Sequence, residues 1–280
     1  MTAKRRRRKQ GYKQKWKKGV SAVLLVLLFL AFFVIKAREN TAQQALWTEQ
    51  AETGKTQSVP LYEENAEAGN EKDSPASDTG EFSLDLVPAY SGQAYTDING
   101  DVPFFTEEEM TTEAFHEYWD LDPLGRCTGA YACVGPETLP TQERGDISEV
   151  KPTGWNTARY GWIDGEMLFN RCHLIGHLLT GQDANERNLI TGTRYMNVEG
   201  MLPFEESVRM YVGGTGHHVM YRVRPYFRGD DLVAAGVLME ARSVEDPRVQ
   251  FCVFCYNVQP GVVIDYATGK NRAAEDSEEP

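Results

Sequence analysis

After its first eighteen residues, this chain has far fewer basic than acidic residues. The net charge of the 280 residues is −12, and the opening stretch MTAKRRRRKQGYKQKWKK carries +10, so the rest of the chain carries −22. An acidic body repels polyanions such as nucleic acid. Bulk charge therefore excludes non-specific polyanion binding by the surface as a whole. Any nucleic-acid chemistry would depend on a local basic patch and a cation.

Cysteine is also sparse, and its number is odd. There are five: Cys127, Cys133, Cys172, Cys252 and Cys255. Export would permit disulfides, but at least one thiol would lack a partner, and the pairs cannot be assigned from the sequence. The last two form a C-x-x-C in an alternating apolar segment, where residues three apart face opposite ways. This disfavours a zinc knuckle or a redox pair, and leaves open packing or a bridge to Cys127 or Cys133.

A long apolar run occurs in one place, residues 19–35, GVSAVLLVLLFLAFFVI. It exceeds the roughly 7–15 residues of a signal-peptide core and approaches the roughly 17–25 that span a bilayer. No small-x-small cleavage pattern follows. We predict an uncleaved transmembrane anchor over residues 19–36. The basic flank, residues 1–18, would stay in the cytoplasm and the rest would lie outside the cell. A cleaved signal, and therefore a secreted protein, is the alternative.

Composition divides the remainder of the chain into three parts. Residues 37–80 are rich in Glu, Ala, Gln, Ser and Thr and poor in aromatics. Such a segment buries too little apolar area to offset its ordering entropy, which predicts a disordered acidic linker. Residues 81–270 have a globular composition and form one predicted domain. Residues 271–280 predict a disordered acidic tail.

Hydrophobic periodicity within the domain predicts an α+β fold with a central antiparallel sheet. Residues 106–119, TEEEMTTEAFHEYW, predict a short acid-capped helix. Residues 203–212 predict a helix that begins with proline and ends at Gly213-Gly214. Alternating patterns predict three strands, over residues 216–227, 231–244 and 249–258, with a tight turn at Gly229-Asp230.

Residues 170–197, NRCHLIGHLLTGQDANERNLITGTRYMN, concentrate the groups that can carry chemistry. His173 and His177 are four apart, as in zinc proteases, but that motif needs Glu after the first His and Leu174 stands there. A zinc hydrolase using both imidazoles remains a second alternative. Cys172 and His173 are adjacent and would point to opposite faces of an extended segment, which disfavours a thiol nucleophile paired with its own base.

The two halves of this stretch resemble a known family. Asn170-Arg171-Cys172-His173, followed by Asn188-Leu-Ile-Thr-x-Thr-Arg-Tyr-x-Asn197, is similar to the signature of the DNA/RNA non-specific endonucleases. The similarity is closest to the bacterial DNA-entry nucleases and covers roughly residues 82–270. It implies a ββα-metal (His-Me) finger within the predicted sheet domain.

The resemblance implies a role for each matching residue. His173 matches the general base that activates water, and Arg171 matches the arginine of the same motif. Asn197 matches the ligand of a catalytic Mg²⁺, for which Mn²⁺ is the alternative ion. Asn188 matches a second asparagine that supports the site.

Glu205 is similar to the acidic residue of the family that meets metal-bound water. Glu206 is the alternative, because the loop after Asn197 is short and the register of the helix is not fixed by the sequence. This chain departs from the family motif at two positions. Asn170 replaces an aspartate, which removes a negative charge, and Cys172 replaces a glycine, which adds a side chain. The departures put the strength of the activity in question, and leave the base and the metal ligand unchanged.

Arginine supplies the local positive charge that the bulk composition lacks. Residues 168–229 contain seven Arg, no Lys and five acids, so this window is +2. Guanidinium groups bind phosphate through two parallel hydrogen bonds. We predict that Arg171 and Arg194 lie in the site and that Arg187 is a further nucleic-acid contact. Binding would be weak and salt-sensitive, with little sequence preference.

The sequence therefore predicts a membrane-anchored extracellular endonuclease that hydrolyses DNA, with RNA left open as a substrate. The physical requirements agree, since a neutral imidazole can accept a proton near pH 7 and a neutral amide ligand leaves the ion its full charge. The alternative is a surface nucleic-acid-binding module with weak or no catalytic activity. No protein partner can be inferred.

Overall fold

The computed structural model describes residues 82–274. The predicted anchor at 19–36, its basic flank, the acidic linker at 37–80 and most of the acidic tail lie outside the described residues. Within residues 82–274, every helix is too short or too polar to cross a bilayer.

A six-stranded antiparallel sheet forms the centre of the domain, as predicted. Its strands, in chain order, are β1 (Tyr95–Asp97), β2 (Phe115–Tyr118), β3 (Ala130–Val134), β6 (Val219–Tyr226), β7 (Gly236–Ser243) and β8 (Gln250–Tyr256). Their order across the sheet is β1-β8-β7-β6-β3-β2. The three predicted strands are confirmed as β6, β7 and β8, which are adjacent in the sheet. The turn at Gly229-Asp230 is present but lies within a longer connection, because β7 begins at Gly236 and not at residue 231. Their alternating side chains bury one face against the main core.

A second, two-stranded unit carries the chemically rich stretch. Strands β4 (Phe169–His173) and β5 (Leu189–Thr193) pair antiparallel, with His173 opposite Leu189. Between them lies a short helix α1 (His177–Thr180). After β5 the chain makes a π-helical turn (Met196–Met201) that continues into helix α2 (Leu202–Thr215). The sequence strand, strand, helix is the ββα unit that the family resemblance implied.

Helix α2 begins where its sequence predicts and ends later. Pro203 occupies the first turn, where a missing N–H costs nothing. The predicted stop at Gly213-Gly214 is wrong, because the helix continues through both glycines, which lie exposed in its last turn. The helix ends at Thr215, and Gly216 caps it with a φ of +72°, a conformation that favours glycine.

The short helix predicted over residues 106–119 is wrong. Its acid-capped start is present as one 3₁₀ turn, Glu107–Glu109, in which Thr106 and Glu109 form a capping box. The following residues instead form the edge strand β2, which pairs with β3. Phe115 on this strand packs against the ring of Tyr131. Pairing with a distant strand therefore overrides the local helical signal.

All five cysteines are buried and none forms a disulfide. Cys255 packs in the main core and Cys252 in a separate cluster on the other face of the sheet. The alternating sequence predicted that the two cysteines of this C-x-x-C would face opposite sides of the sheet, and they do. Of the two alternatives that the sequence left open, packing is the one that the structure shows.

A small cluster beside the β4–β5 hairpin completes the architecture around the site. Ile163, Leu168 and Phe169 are buried together there. Strands β9 (Val262–Ile264) and β10 (Asn271–Ala273) form a separate hairpin that contributes Val262 and Ile264 to the same cluster. This cluster supports the β4–β5 hairpin from one side and thereby holds strand β4 in place.

Candidate active site

A cavity of about 480 Å³ opens between the β4–β5 hairpin and the start of α2. Six of the seven residues that the sequence nominated lie in or behind it. Those that line the cavity are Arg171, His173, Arg194, Asn197 and Glu205, while Asn188 is buried behind it. Arg144 and Asn170 also line it. Residues far apart along the chain therefore meet at one concave site.

His173 ends β4 and is 7% exposed. Its Nε2 lies 3.0 Å from the main-chain carbonyl of Asp183, an acceptor, so Nε2 carries the proton and donates. The other nitrogen, Nδ1, is unprotonated and accepts a hydrogen bond from Nη2 of Arg144 at 3.4 Å. Burial lowers the pKa of His173 to about 4, with nearby Arg144 and His177 acting in the same direction. The imidazole is therefore neutral near pH 7 and can accept a proton at Nδ1.

Asn188 fixes the chain that follows His173. This side chain is fully buried, and its Oδ1 accepts from the N–H of Ile175 at 2.9 Å while its Nδ2 donates to the carbonyl of the same residue at 3.0 Å. Its own carbonyl accepts from Leu174. The two strands of the hairpin are thereby joined just beyond the imidazole.

Glu205 and Glu206 are separated by their positions on α2. Glu205 is buried and lines the cavity, where its Oε1 accepts from the N–H of Gly176 at 2.7 Å, whereas Glu206 is exposed. A Cβ at Gly176 would lie 2.6 Å from that oxygen, so a side chain there would displace the carboxylate. Burial raises the pKa of Glu205 to about 8, against the opposing effects of the Gly176 N–H and Arg144.

The raised pKa of Glu205 predicts a pH-dependent stability in metal-free buffer. The folded protein binds a proton more tightly than the unfolded chain, whose carboxyl titrates near 4.5. This stabilisation is fully present below that pH and is lost as the pH rises through about 8. His173 acts oppositely, but only between about pH 4 and 6.5. From pH 6.5 to 8 we expect denaturant unfolding to show a falling stability, with a slope approaching ~1.4 kcal/mol per pH unit.

The variant Glu205→Gln should flatten this fall, because the amide does not titrate. Glu206→Gln is the matched control, since its exposed side chain is the next residue on the same helix. An equal slope in Glu205→Gln and the unaltered protein would show that Glu205 does not cause the pH dependence.

Asn197 presents its amide from the π-helical turn. The thiol of Cys172, which is fully buried, lies 2.9 Å from Asn197 Oδ1. Burial raises the pKa of Cys172 well above its usual range, so the thiol keeps its proton and donates to that oxygen. The side chain that replaces the family's glycine therefore contacts the proposed metal ligand and restricts the orientation of its amide.

The side-chain oxygen atoms in the cavity suit a hydrated metal ion that prefers oxygen ligands. Asn197 Oδ1 retains a second lone pair, and the buried Oδ1 of Asn170 accepts no hydrogen bond from any described residue. Waters around a cation would donate to such oxygens. Among residues 82–274, no group of three or more His, Cys, Asp and Glu is placed to hold a metal. His177 pairs with Asp183 at 3.6 Å, an arrangement unlike a two-histidine zinc site.

Arg144 is the residue of this cavity that the sequence did not reveal. It lies on the loop before β4, and the next residue, Gly145, donates its N–H to Asp183 Oδ1 at 2.9 Å. Asp183 thus holds both the imidazole of His173, through its carbonyl, and the loop that carries Arg144. The arginine-rich window began at residue 168, so this position lay outside it. TQERGD is an ordinary polar loop sequence that carries no signal of its own.

The predicted arginines differ in what they contact. Arg171 donates through Nη2 to the carbonyl of Ser148 at 2.6 Å and lies over the ring of Trp155 at 4.4 Å, so it ties a neighbouring loop to β4. Arg194 pairs with Asp164 at 2.7 Å at the cavity wall. Arg187 is exposed, pairs with Asp120 at 3.1 Å and is not among the cavity-lining residues.

Two other arginines of the positive window lie elsewhere. Arg222 and Arg224 on β6 pair with the fully buried carboxylate of Glu240 on β7. These two arginines form ion pairs within the sheet and do not contribute to the cavity. The positive character of the cavity therefore comes from Arg144, Arg171 and Arg194.

Comparison with known proteins identifies the family and the fold of this chain. Residues 106–245, half of the chain, match the family model described as DNA/RNA non-specific endonuclease. The fold resembles the crystal structure of NucA from Streptococcus agalactiae with magnesium ion bound, at 24% identity and a TM-score of 0.57, over 62% of this chain and 86% of that one. The NucA structure with no metal bound matches at 24% identity and a TM-score of 0.59, over 68% and 92%. The chain belongs to the DNA/RNA non-specific endonuclease family, and it is a nuclease that hydrolyses phosphodiester bonds.

Proposed function

We propose that the protein is a metal-dependent endonuclease that cuts DNA, and also RNA, with little sequence preference, and that the cavity beside β4 is its active site. The observation that carries this proposal is the unprotonated Nδ1 of His173 in one cavity with Asn197 Oδ1 and the Arg144 guanidinium. Hydrolysis of a phosphodiester uses a general base, a metal ligand and a positively charged group, and these three side chains can supply them.

In this mechanism each side chain has one task. His173 Nδ1 accepts the proton of the attacking water, while the Asp183 carbonyl holds the ring in the required tautomer. Arg144 donates to that nitrogen in the structure, and on substrate binding it would turn to the phosphate, which frees Nδ1 for the water and stabilises the negative charge that grows on the phosphate. Asn197 would hold a divalent ion, and when bound this ion supplies Lewis-acid charge relief at the phosphate oxygens. Glu205 and Asn170 face the same space with oxygen acceptors.

Magnesium is the proposed ion, with manganese as a substitute. One neutral amide ligand suits an ion that keeps most of its water, as Mg²⁺ does. The magnesium ion in the NucA structure supports the same choice. The test is plasmid degradation by the full chain with EDTA and after add-back of excess Mg²⁺. Loss and recovery of cleavage would support the proposal, whereas undiminished cleavage in EDTA would reject metal dependence.

Replacing Asn197 by Ala should raise the Mg²⁺ concentration needed for half-maximal cleavage about tenfold or more, because the protein's one direct ligand is lost. A loss of tenfold in affinity corresponds to about 1.4 kcal/mol, which is modest for an ion ligand. Asn185→Ala is the matched control, since Asn185 caps a nearby 3₁₀ turn by accepting from Arg187 and does not line the cavity. An unchanged Mg²⁺ titration in Asn197→Ala would remove Asn197 from the site.

The alternative is a surface nucleic-acid-binding module with little or no activity. Its support is the pair of motif departures, Asn170 and Cys172. Asn170 removes a carboxylate from the cavity, and Cys172 contacts Asn197 Oδ1 directly. Binding of DNA without metal-dependent cleavage would favour this alternative.

We also propose that residues 19–36 anchor the enzyme in the cell membrane, with the nuclease domain outside the cell. The uncharged run and its basic flank support this topology. Protease treatment of intact cells tests it. Degradation of the nuclease domain with protection of the first residues is expected, and full protection of the domain would contradict it.

A further inference from the structure

Trp162 is a large aromatic side chain that the fold holds in solvent. It is 51% exposed, whereas its neighbour Ile163 is 4% exposed and is buried beside Leu168 and Phe169. Burying the indole would remove more apolar surface from water than burying the isoleucine does. The loop nevertheless inserts the isoleucine and presents the tryptophan.

Main-chain hydrogen bonds make this loop rigid. The N–H of Tyr160 donates to Glu166, that of Ile163 to Tyr160, and that of Glu166 to Ile163, at 2.9, 3.1 and 2.7 Å. Glu166 adopts a φ of +61°, which is unfavourable for a residue with a side chain. A strained backbone persists where the surrounding contacts hold it, and it often occurs at functional sites. The exposure of Trp162 therefore belongs to a fixed conformation of the loop.

The same loop borders the catalytic cavity. Asp164, two residues after Trp162, pairs with the cavity-lining Arg194 at 2.7 Å. Met167, at the end of the loop, itself lines the cavity. Phe169, which packs with Ile163, also lines it. The neighbours of Trp162 therefore fix its loop to the cavity wall, Asp164 through an ion pair and Ile163 through packing against Phe169.

The indole of Trp162 contacts a second aromatic ring. Tyr160 lies with its ring centroid 5.0 Å from that of Trp162, and its hydroxyl donates to Asn271 Oδ1 at 2.7 Å. The two rings are tilted by 46° to each other, and the tyrosine is anchored to β10 through Asn271. Trp162 is 51% exposed, so its indole offers a flat aromatic surface beside a fixed neighbour.

We propose that Trp162 is a stacking platform for an unpaired nucleobase of the strand that is cut in the cavity, so that single-stranded or locally melted nucleic acid is the preferred substrate. Every base has a π-face, so stacking of this kind tolerates any sequence, as a non-specific nuclease requires. A base inside a duplex has its faces covered by its neighbours and cannot stack on the indole without being unstacked. This inference rests on the proposed active site, because the platform is placed relative to that cavity.

The test separates stacking from phosphate contacts. Binding is measured by fluorescence anisotropy in the His173→Ala background, with a short labelled oligothymidine and with an abasic strand of equal length. Trp162→Ala should weaken oligothymidine binding about tenfold, within the range that alanine substitution of stacking aromatics gives. Trp162→Phe should retain most of the affinity, and all three proteins should bind the abasic strand equally. Leu124→Ala, another exposed apolar residue, is the control and should bind like its parent.

Equal oligothymidine affinity for Trp162→Ala and its parent would overturn the proposal, as would equal losses on both strands. In the active protein, Trp162→Ala should raise KM for single-stranded DNA with kcat unchanged, and change KM for duplex DNA less. Failure of the active-site proposal gives a different result: with Mg²⁺ added, either the protein that retains His173 would leave the labelled strand uncut or His173→Ala would cut it, and a gel of the two mixtures reveals both cases.

Discussion

Replacing His173 by Ala should reduce cleavage about 10²–10⁴-fold, the usual contribution of a positioned general base. The reason is the state of the imidazole. Its Nε2 donates to the Asp183 carbonyl, and burial lowers its pKa to about 4, so Nδ1 carries no proton near pH 7 and accepts from Arg144. The measurement is the initial rate of plasmid cleavage at saturating Mg²⁺. Binding of uncleaved DNA should remain, because the arginines of the cavity are untouched.

The control for this variant is another histidine with an acidic partner. His217 lies 3.1 Å from Asp246 and is not among the cavity-lining residues, so His217→Ala should cleave at the parent rate. Circular dichroism establishes that both variants are folded. Retention of more than a few per cent of activity by folded His173→Ala would reject this residue as the base.

Replacing Arg144 by Ala should lower kcat about 10²–10³-fold, as removal of one preorganised charge-stabilising donor does in other enzymes. Arg144→Lys should recover part of this loss, because a lysine restores the charge without the planar fork. The guanidinium also lowers the pKa of His173. The acidic limb of the pH–rate profile should therefore move to higher pH in Arg144→Ala.

Arg209 provides the comparison for Arg144. It lies on the exposed face of α2 and does not line the cavity, so Arg209→Ala should leave both kcat and the pH profile unchanged. If Arg144→Ala and Arg209→Ala show the same small effect, the contribution of Arg144 is only general surface charge. A pH profile that stays in place while kcat falls would separate charge stabilisation from the effect on His173.

The family resemblance nominated four candidate site residues that the fold brings to one region because they belong to one continuous unit. His173, Asn188, Asn197 and Glu205 all lie within one hairpin and the helix that follows, and their spacing is fixed by that unit. Arg144 belongs to a loop that reaches the cavity through Gly145 and Asp183. A contact between two irregular segments leaves no periodic pattern in either, and this residue was therefore missed.

The fold shows the same division between local and distant determinants. Strands β6, β7 and β8 follow one another along the chain and are neighbours in the sheet, and their alternation sufficed to predict them. The edge strand β2 depends on pairing with β3, and the acidic run before it gave a helical signal that extended no further than one 3₁₀ turn. The role of Cys172 was equally hidden, since adjacency to His173 says nothing of its hydrogen bond to Asn197.

The most direct measurement is anomalous diffraction from crystals of the protein soaked in Mn²⁺. The account predicts one strong peak in the cavity, about 2.0–2.3 Å from Asn197 Oδ1, the distance expected for an oxygen ligand. The peak should lie on the side that faces His173 and Arg144. A peak bound elsewhere, with the cavity empty in a preparation that cleaves DNA with Mn²⁺, would contradict it.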